Sequence, residues 1–298
     1  MQRLLTYAIT KLLGLYINIL SYIAPGKASR LAYRFFTEPR NGRLVKDSLP
    51  AVLQEAETET IIHNELAFQT YTWKGNAIKV LLVHGWESNA SRWKLFITYL
   101  KKAGCTIIAL DAPAHGLSTG TEFTIARYAE FIDIIVQRHR PQYMVGHSLG
   151  GSTALYYQSH FANTSIQKLV ILGAPCDMNT ILNNYIALLS LNTNVFVLLK
   201  KHFFEHFKIR TEEFSGSIFA REITVKSLVA HDMDDQTVSF KEGKKIARAL
   251  PQAEFIATRG MGHSMHDDGL YTKIYSFLFD ANKPEKEQPQ LKATGTDD

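Results

Sequence analysis

The chain has 298 residues, 46% of them hydrophobic, which suits one large α/β domain or two small ones with a substantial core. Two cysteines, Cys105 and Cys176, are too few for a disulfide framework, and neither has C-x-x-C or metal-ligand spacing. Both read as buried thiols in a reducing, cytoplasmic compartment, and no metal is expected. The net charge is +5, but residues 1–46 hold eight basic residues against Glu38 alone, a balance of +7 that leaves about −2 for the rest. No nucleic-acid motif accompanies it, so a membrane surface is the more natural acidic partner.

Residues 4–24 are strongly apolar but interrupted by Lys11 and Asn18, which a spanning helix would have to bury in hydrocarbon. No small-residue cleavage site follows before Pro25-Gly26-Lys27, so a signal peptide fits poorly. Leu4, Leu5, Ala8, Leu12, Leu15, Ile19 and Ile23 recur at helical spacing and predict an amphipathic helix. Two readings of it stay open: packing on the protein's own surface, or peripheral membrane contact through residues 1–46. Residues 27–46 continue basic and aromatic, and Leu53 to Ile62 reads as a polar, acidic connection.

From Leu66 strands and helices alternate. Strands are expected at Phe68–Trp73, Ile78–Val83, Thr106–Leu110, Tyr143–Val145, Lys168–Leu172, Val225–Ala230 and Glu254–Ala257. Helices are expected at Trp93–Ala103, Phe123–Arg138, Gly150–His160, 239–249 and 265–279. This rhythm predicts an α/β fold with a mostly parallel, doubly wound sheet. Residues 175–220 break it with helix-like apolar runs and read as a cap or lid over the strand ends. The organisation is thus an N-terminal segment (1–60), core (61–174), cap (175–220), core (221–281) and a polar tail (282–298) expected to be disordered.

The chemistry gathers at Gly146-His147-Ser148-Leu149-Gly150-Gly151. G-x-S-x-G between a strand and a helix is a nucleophile elbow: Gly146 and Gly150 let the chain turn sharply, and Ser148 is lifted clear of the sheet. A serine nucleophile needs a base and the base an orienting carboxylate. His263, in a Gly-flanked loop after the last strand, is the base candidate. Asp235, three residues before Val238, is the favoured acid, with Asp232 the alternate and Asp234 read as solvated. An oxyanion hole needs two N–H groups, expected from Leu149 and Trp86. Gly85 permits close backbone approach there, and His84 braces the loop by hydrogen bonding.

With His84-Gly85-Trp86, Asp111 to Ser118 (DAPAHGLS), the elbow, Asp235 and Gly262-His263 in this order, the chain resembles the α/β-hydrolase fold superfamily over residues 66–280. The resemblance implies a Ser-Asp-His hydrolase without a cofactor, from its esterase, lysophospholipase, monoglyceride lipase or thioesterase branches. Serine as nucleophile disfavours the dehalogenase and epoxide-hydrolase branches. One departure is Ala114, where that loop usually carries Gly. The expected activity is hydrolysis of a small-molecule carboxylic ester with a mostly apolar acyl part. A thioesterase or C–C bond hydrolase with the same triad, or a low-turnover ligand receptor, stays open.

Overall fold

The computed structural model describes residues 2–161 and 163–280; the tail, 282–298, lies outside the described residues. Two N-terminal helices, α1 (Gln2–Ile23) and α2 (Pro25–Thr37), and one turn of helix, α3 (Ala51–Gln54), precede the sheet. The core then runs β1 (Glu57–His63), β2 (Leu66–Trp73), β3 (Asn76–Val83), α4 (Lys94–Lys102), β4 (Cys105–Leu110), α5 (Ile125–His139), β5 (Tyr143–His147), α6 (Leu149–His160) and β6 (Lys168–Leu172). Helices α7 (Met178–Leu189), α8 (Thr193–Phe207) and α9 (Gly216–Ala220) follow. The chain closes with β7 (Lys226–Asp232), α10 (Phe240–Ala249), β8 (Ala253–Thr258) and α11 (Asp268–Phe279).

The eight strands form one sheet in the order β1-β2-β4-β3-β5-β6-β7-β8, parallel from β4 to β8 and antiparallel at β1 and β2. The continuous apolar run of β3 follows from this, because a parallel sheet is covered on both faces. One face packs through Leu81, Val83, Phe131 and Ile135, the other through Val80, Leu82, Trp93 and Phe96. Strand β1 departs from the expected connection. Its residues read as polar because it is an edge strand that buries only Ile61.

The N-terminal segment departs further. Residues 25–37 form a second helix, started by Pro25 in its first turn, with Ala28, Ser29 and Ala32 buried and Lys27, Arg30 and Arg34 exposed. The apolar stripe of α1 also points the wrong way for simple packing: Leu5, Leu12, Leu15, Ile19 and Ile23 are 52–74% exposed. The helix packs through the opposite face, around Gly14, Ile17 and Ser21. A Cβ on Gly14 would lie 1.8 Å from the Leu189 carbonyl oxygen, so glycine is what lets α1 cross the end of α7. Lys11 Nζ donates to the Leu188 carbonyl (2.9 Å) and to Ser190 Oγ (2.7 Å). Asn18 donates to the Ser190 carbonyl (2.9 Å) and accepts from the Asn192 N–H (2.8 Å). The two polar residues that interrupt the apolar run thus satisfy the carbonyls left open at the α7 C-terminus, where a cation is also favoured by the helix dipole. No helix among the described residues is long and apolar enough to cross a membrane.

Candidate active site

Strand β5 ends at His147 and α6 begins at Leu149, so the whole turn is Ser148, held at φ +53°, ψ −127°. A non-glycine residue in the left-handed half of backbone space costs on the order of 1–2 kcal/mol. The cost is met by over-determination: the Ser148 N–H donates to the Leu172 carbonyl (2.8 Å), and its carbonyl accepts the Gly151 N–H (2.9 Å). Gly146 is required because a Cβ there would come within 2.7 Å of the Gly151 Cα. Gly150 is required because α6 passes against β3, where a Cβ would lie 2.3 Å from the Val83 carbonyl oxygen.

Three side chains from three strand ends meet at Ser148 Oγ. His263 Nε2 lies 3.0 Å from it, and His263 Nδ1 lies 2.8 Å from Asp235 Oδ2. With Nδ1–H given to the carboxylate, Nε2 carries the lone pair and accepts the serine O–H. Asp235 is fully buried at its carboxylate, and its Oδ1 accepts the N–H groups of Thr237 (2.8 Å) and Val238 (2.9 Å). Burial pushes its pKa up, but hydrogen bonds from His231, His263 and the Val238 N–H outweigh that and hold it well below the usual carboxylate range.

Asp232 takes a different position. Its Oδ2 accepts from Thr258 Oγ1 (2.8 Å) and the Met261 N–H (3.1 Å), and its Oδ1 from the Asp234 N–H (3.0 Å). It therefore ties down the loop that carries His263 without touching the imidazole. Asp234 accepts the Gly260 N–H (3.1 Å) in the same loop.

Of the other predicted positions, Gly85 lies against the elbow, where a Cβ would come within 2.8 Å of both the His147 carbonyl oxygen and Ser148 Cβ. His84 is fully buried: its Nδ1–H donates to the Gly85 carbonyl (2.8 Å), and its Nε2 accepts the Ala112 N–H (2.9 Å), joining the β3 and β4 loops. Burial, reinforced by His115 nearby, keeps it neutral. Trp86, Ser148 and Leu149 share one cavity of about 1060 Å³, walled by Phe36, Phe123, Tyr156, Ile181, Phe207 and Phe214. Helices α7 and α8 supply much of this wall, so the expected insertion borders the space in front of Ser148.

Three residues around the site had no assigned role from sequence. His231 lies behind Asp235, donating from Nε2 to the Val238 carbonyl (2.9 Å) with Asp235 Oδ2 at 3.4 Å. His147 donates from Nε2 to the His263 carbonyl (2.7 Å), and burial holds its own pKa far below the ordinary imidazole value. Arg92 donates to the Ser264 carbonyl (2.9 Å). Only His147 carried a signal, as the residue before the nucleophile, and the motif leaves that position open. Ala114 sits at φ +64° and is fully buried, so the loop does turn there as a left-handed residue without glycine.

Comparison with known proteins agrees with this fold. A family model described as the alpha/beta hydrolase fold matches residues 79–202. The sheet order, the elbow and the match coincide. The chain has the α/β-hydrolase fold. Among curated relatives, the phospholipase YtpA of Bacillus subtilis (strain 168) is 27% identical over 115 residues, 36% of this chain and 44% of that protein. The chain spans less than half the length of the curated relatives it matches. Among solved structures, the meta-cleavage product hydrolase of Pseudomonas fluorescens IP01 superposes with TM-score 0.58 at 16% identity, over 77% of this chain and 100% of that one. A bacterial membrane phospholipase A superposes with TM-score 0.59 at 14% identity, over 93% of this chain and 98% of that one. At such identities what is shared is the fold. Among the matched relatives, one is named a phospholipase, one a monoacylglycerol lipase and one an esterase.

Proposed function

We propose that this α/β-hydrolase is a serine carboxylic ester hydrolase acting on substrates with a long or bulky apolar acyl part. The observation that carries the reading is the relay Asp235–His263–Ser148, at 2.8 and 3.0 Å, with Ser148 opening into an aromatic-walled cavity of about 1060 Å³. That volume is at the upper end for small-molecule pockets, more than a short acetyl ester needs. His263 Nε2 takes the Ser148 proton as Oγ bonds to the ester carbonyl carbon. The carbonyl oxygen, now negative, accepts the N–H groups of Trp86 and Leu149. The C–O bond to the alcohol then breaks, and the leaving oxygen collects the proton from His263. Water, deprotonated by the same nitrogen, releases the acid and restores Ser148. No cofactor enters this sequence of steps. Asp235 stays ionised throughout and holds the imidazole in the one tautomer that can accept from serine.

The test is labelling with a fluorophosphonate, followed by turnover of a p-nitrophenyl ester series. A single adduct on Ser148, turnover lost in Ser148→Ala, and preference for longer acyl chains are expected. An adduct on another serine of the folded protein would remove the reading. Acyl thioesters in the same series separate it from thioesterase activity, which the same relay could run.

A further inference from the structure

We infer that the outward face of α1 docks on an anionic lipid bilayer and sets the mouth of the Ser148 cavity against the lipid. Leu5, Ile9, Leu12, Leu15, Ile19 and Ile23 are 52–74% exposed and follow one another at three- and four-residue steps along a 22-residue helix. Isolated exposed apolar residues are ordinary, but an unbroken row of this length is not. Tyr16 and Tyr22, 54% and 73% exposed, flank the row with side chains suited to an apolar–water boundary. Lys11 and Asn18 are turned the other way, bonded to the α7–α8 junction. The charge fits an anionic surface as well: residues 1–37 contain no Asp or Glu, and exposed Lys27 and Arg30 follow directly on the end of α1. A second copy seated on the same face would instead bring two segments of +7 together.

The cavity gives this surface a use. Ile9 belongs to the outward row and also lines the cavity, as do Leu13 and the 63%-exposed Leu188. The cavity therefore opens at the edge of the docked face. An ester whose acyl chain lies in the bilayer can pass between Ile9 and Leu188 toward Ser148 without leaving an apolar environment. This delivery rests on the ester-hydrolase reading; the docking itself does not.

The experiment uses the full chain and vesicles of phosphatidylcholine with and without phosphatidylglycerol. It compares the natural sequence with Leu12→Glu/Ile19→Glu, two positions outside the cavity lining. Flotation with phosphatidylglycerol vesicles at low salt, reduced by added salt, is expected for the natural sequence. Its bound fraction should fall on the order of tenfold or more in the double variant, with turnover of soluble p-nitrophenyl butyrate unchanged. Turnover of a long-chain ester embedded in the vesicles should fall in parallel. If the double variant does not fold, Leu12→Ser/Leu15→Ser takes its place. The inference is overturned if the natural sequence stays with the soluble fraction at low salt or if the folded variant floats equally well. It is also overturned if the natural sequence is a dimer that the variant splits, which would assign the face to a second copy. Absence of soluble-ester turnover in the natural sequence counts against the ester-hydrolase reading alone, because flotation still decides the docking.

Discussion

Replacing Asp235 by Asn separates the two carboxylates that sequence alone left in competition. The oxygen of the new side-chain amide has to stay where Oδ1 of Asp235 lies, because two N–H groups, from Thr237 and Val238, point there at 2.8 and 2.9 Å. Rotating the amide to present oxygen to His263 would set its NH₂ against both donors, at about 1–3 kcal/mol for each bond left unmade. The NH₂ therefore faces His263 Nδ1 and donates to it, which moves the ring proton to Nε2, where it can no longer accept from Ser148. Such a tautomer reversal lowers kcat on the order of 10⁴-fold, about 5 kcal/mol of barrier. Asp232→Asn keeps the tautomer intact. It loses at least one of the bonds to Asp234, Thr258 or Met261, so it should cost stability by about 1–3 kcal/mol and kcat by no more than about tenfold. The assay is kcat on p-nitrophenyl butyrate well below each variant's melting temperature, with circular dichroism confirming the fold. Equal losses in the two folded variants, or the reverse ranking, would refute the reasoning.

Two further outcomes follow from buried groups. Burial holds His84 and His147 neutral, and His115 at about 4, while unfolding returns each to an ordinary imidazole. The stability these groups provide is present above about pH 6.5 and lost as pH falls, because the unfolded chain then binds more protons. Asp111 works the other way: burial raises it to about 6, so around pH 5 the folded state holds a proton that the unfolded state has released. Burial holds His266 at about 4 as well, so the histidine protons taken up on unfolding outnumber the one that Asp111 releases, and urea titrations should show stability falling as pH drops from 7 toward 5 and level above pH 7. A flat profile from pH 7.5 to 5 would contradict this. At Ala114, replacement by Gly relieves about 1–2 kcal/mol of left-handed strain and loses a buried methyl and some unfolded-state restriction of similar total size. Ala114→Gly should therefore be close to neutral in thermal melts, whereas Ala112→Gly, also fully buried but without the positive φ, should cost about 1 kcal/mol or more.

The elbow and the sheet strands were legible in the sequence because local features specify them. A buried parallel strand must be apolar on both faces, as β3 is, and a strand-to-helix turn this tight admits only glycine at 146 and 150. His263 was equally visible, as the histidine in a Gly-flanked loop after the last strand. Strand β1 was not, because an edge strand that buries one side chain has the composition of a loop. Spacing favours Asp235 over Asp232 as the acid but gives Asp232 no role of its own: both leave β7 within four residues, and the path of the loop from β8 sets the imidazole on Asp235 and the Met261 N–H on Asp232. The same holds for α1. Its apolar periodicity is a property of the sequence, but which face meets the protein was decided by contacts far along the chain. Gly14 permits the close crossing with Leu189, and Lys11 and Asn18 find the open carbonyls at the end of α7. A glycine and two polar side chains that break a hydrophobic pattern became the packing face, because the close crossing at Gly14 sets Lys11 and Asn18 beside the carbonyls that the end of α7 leaves open.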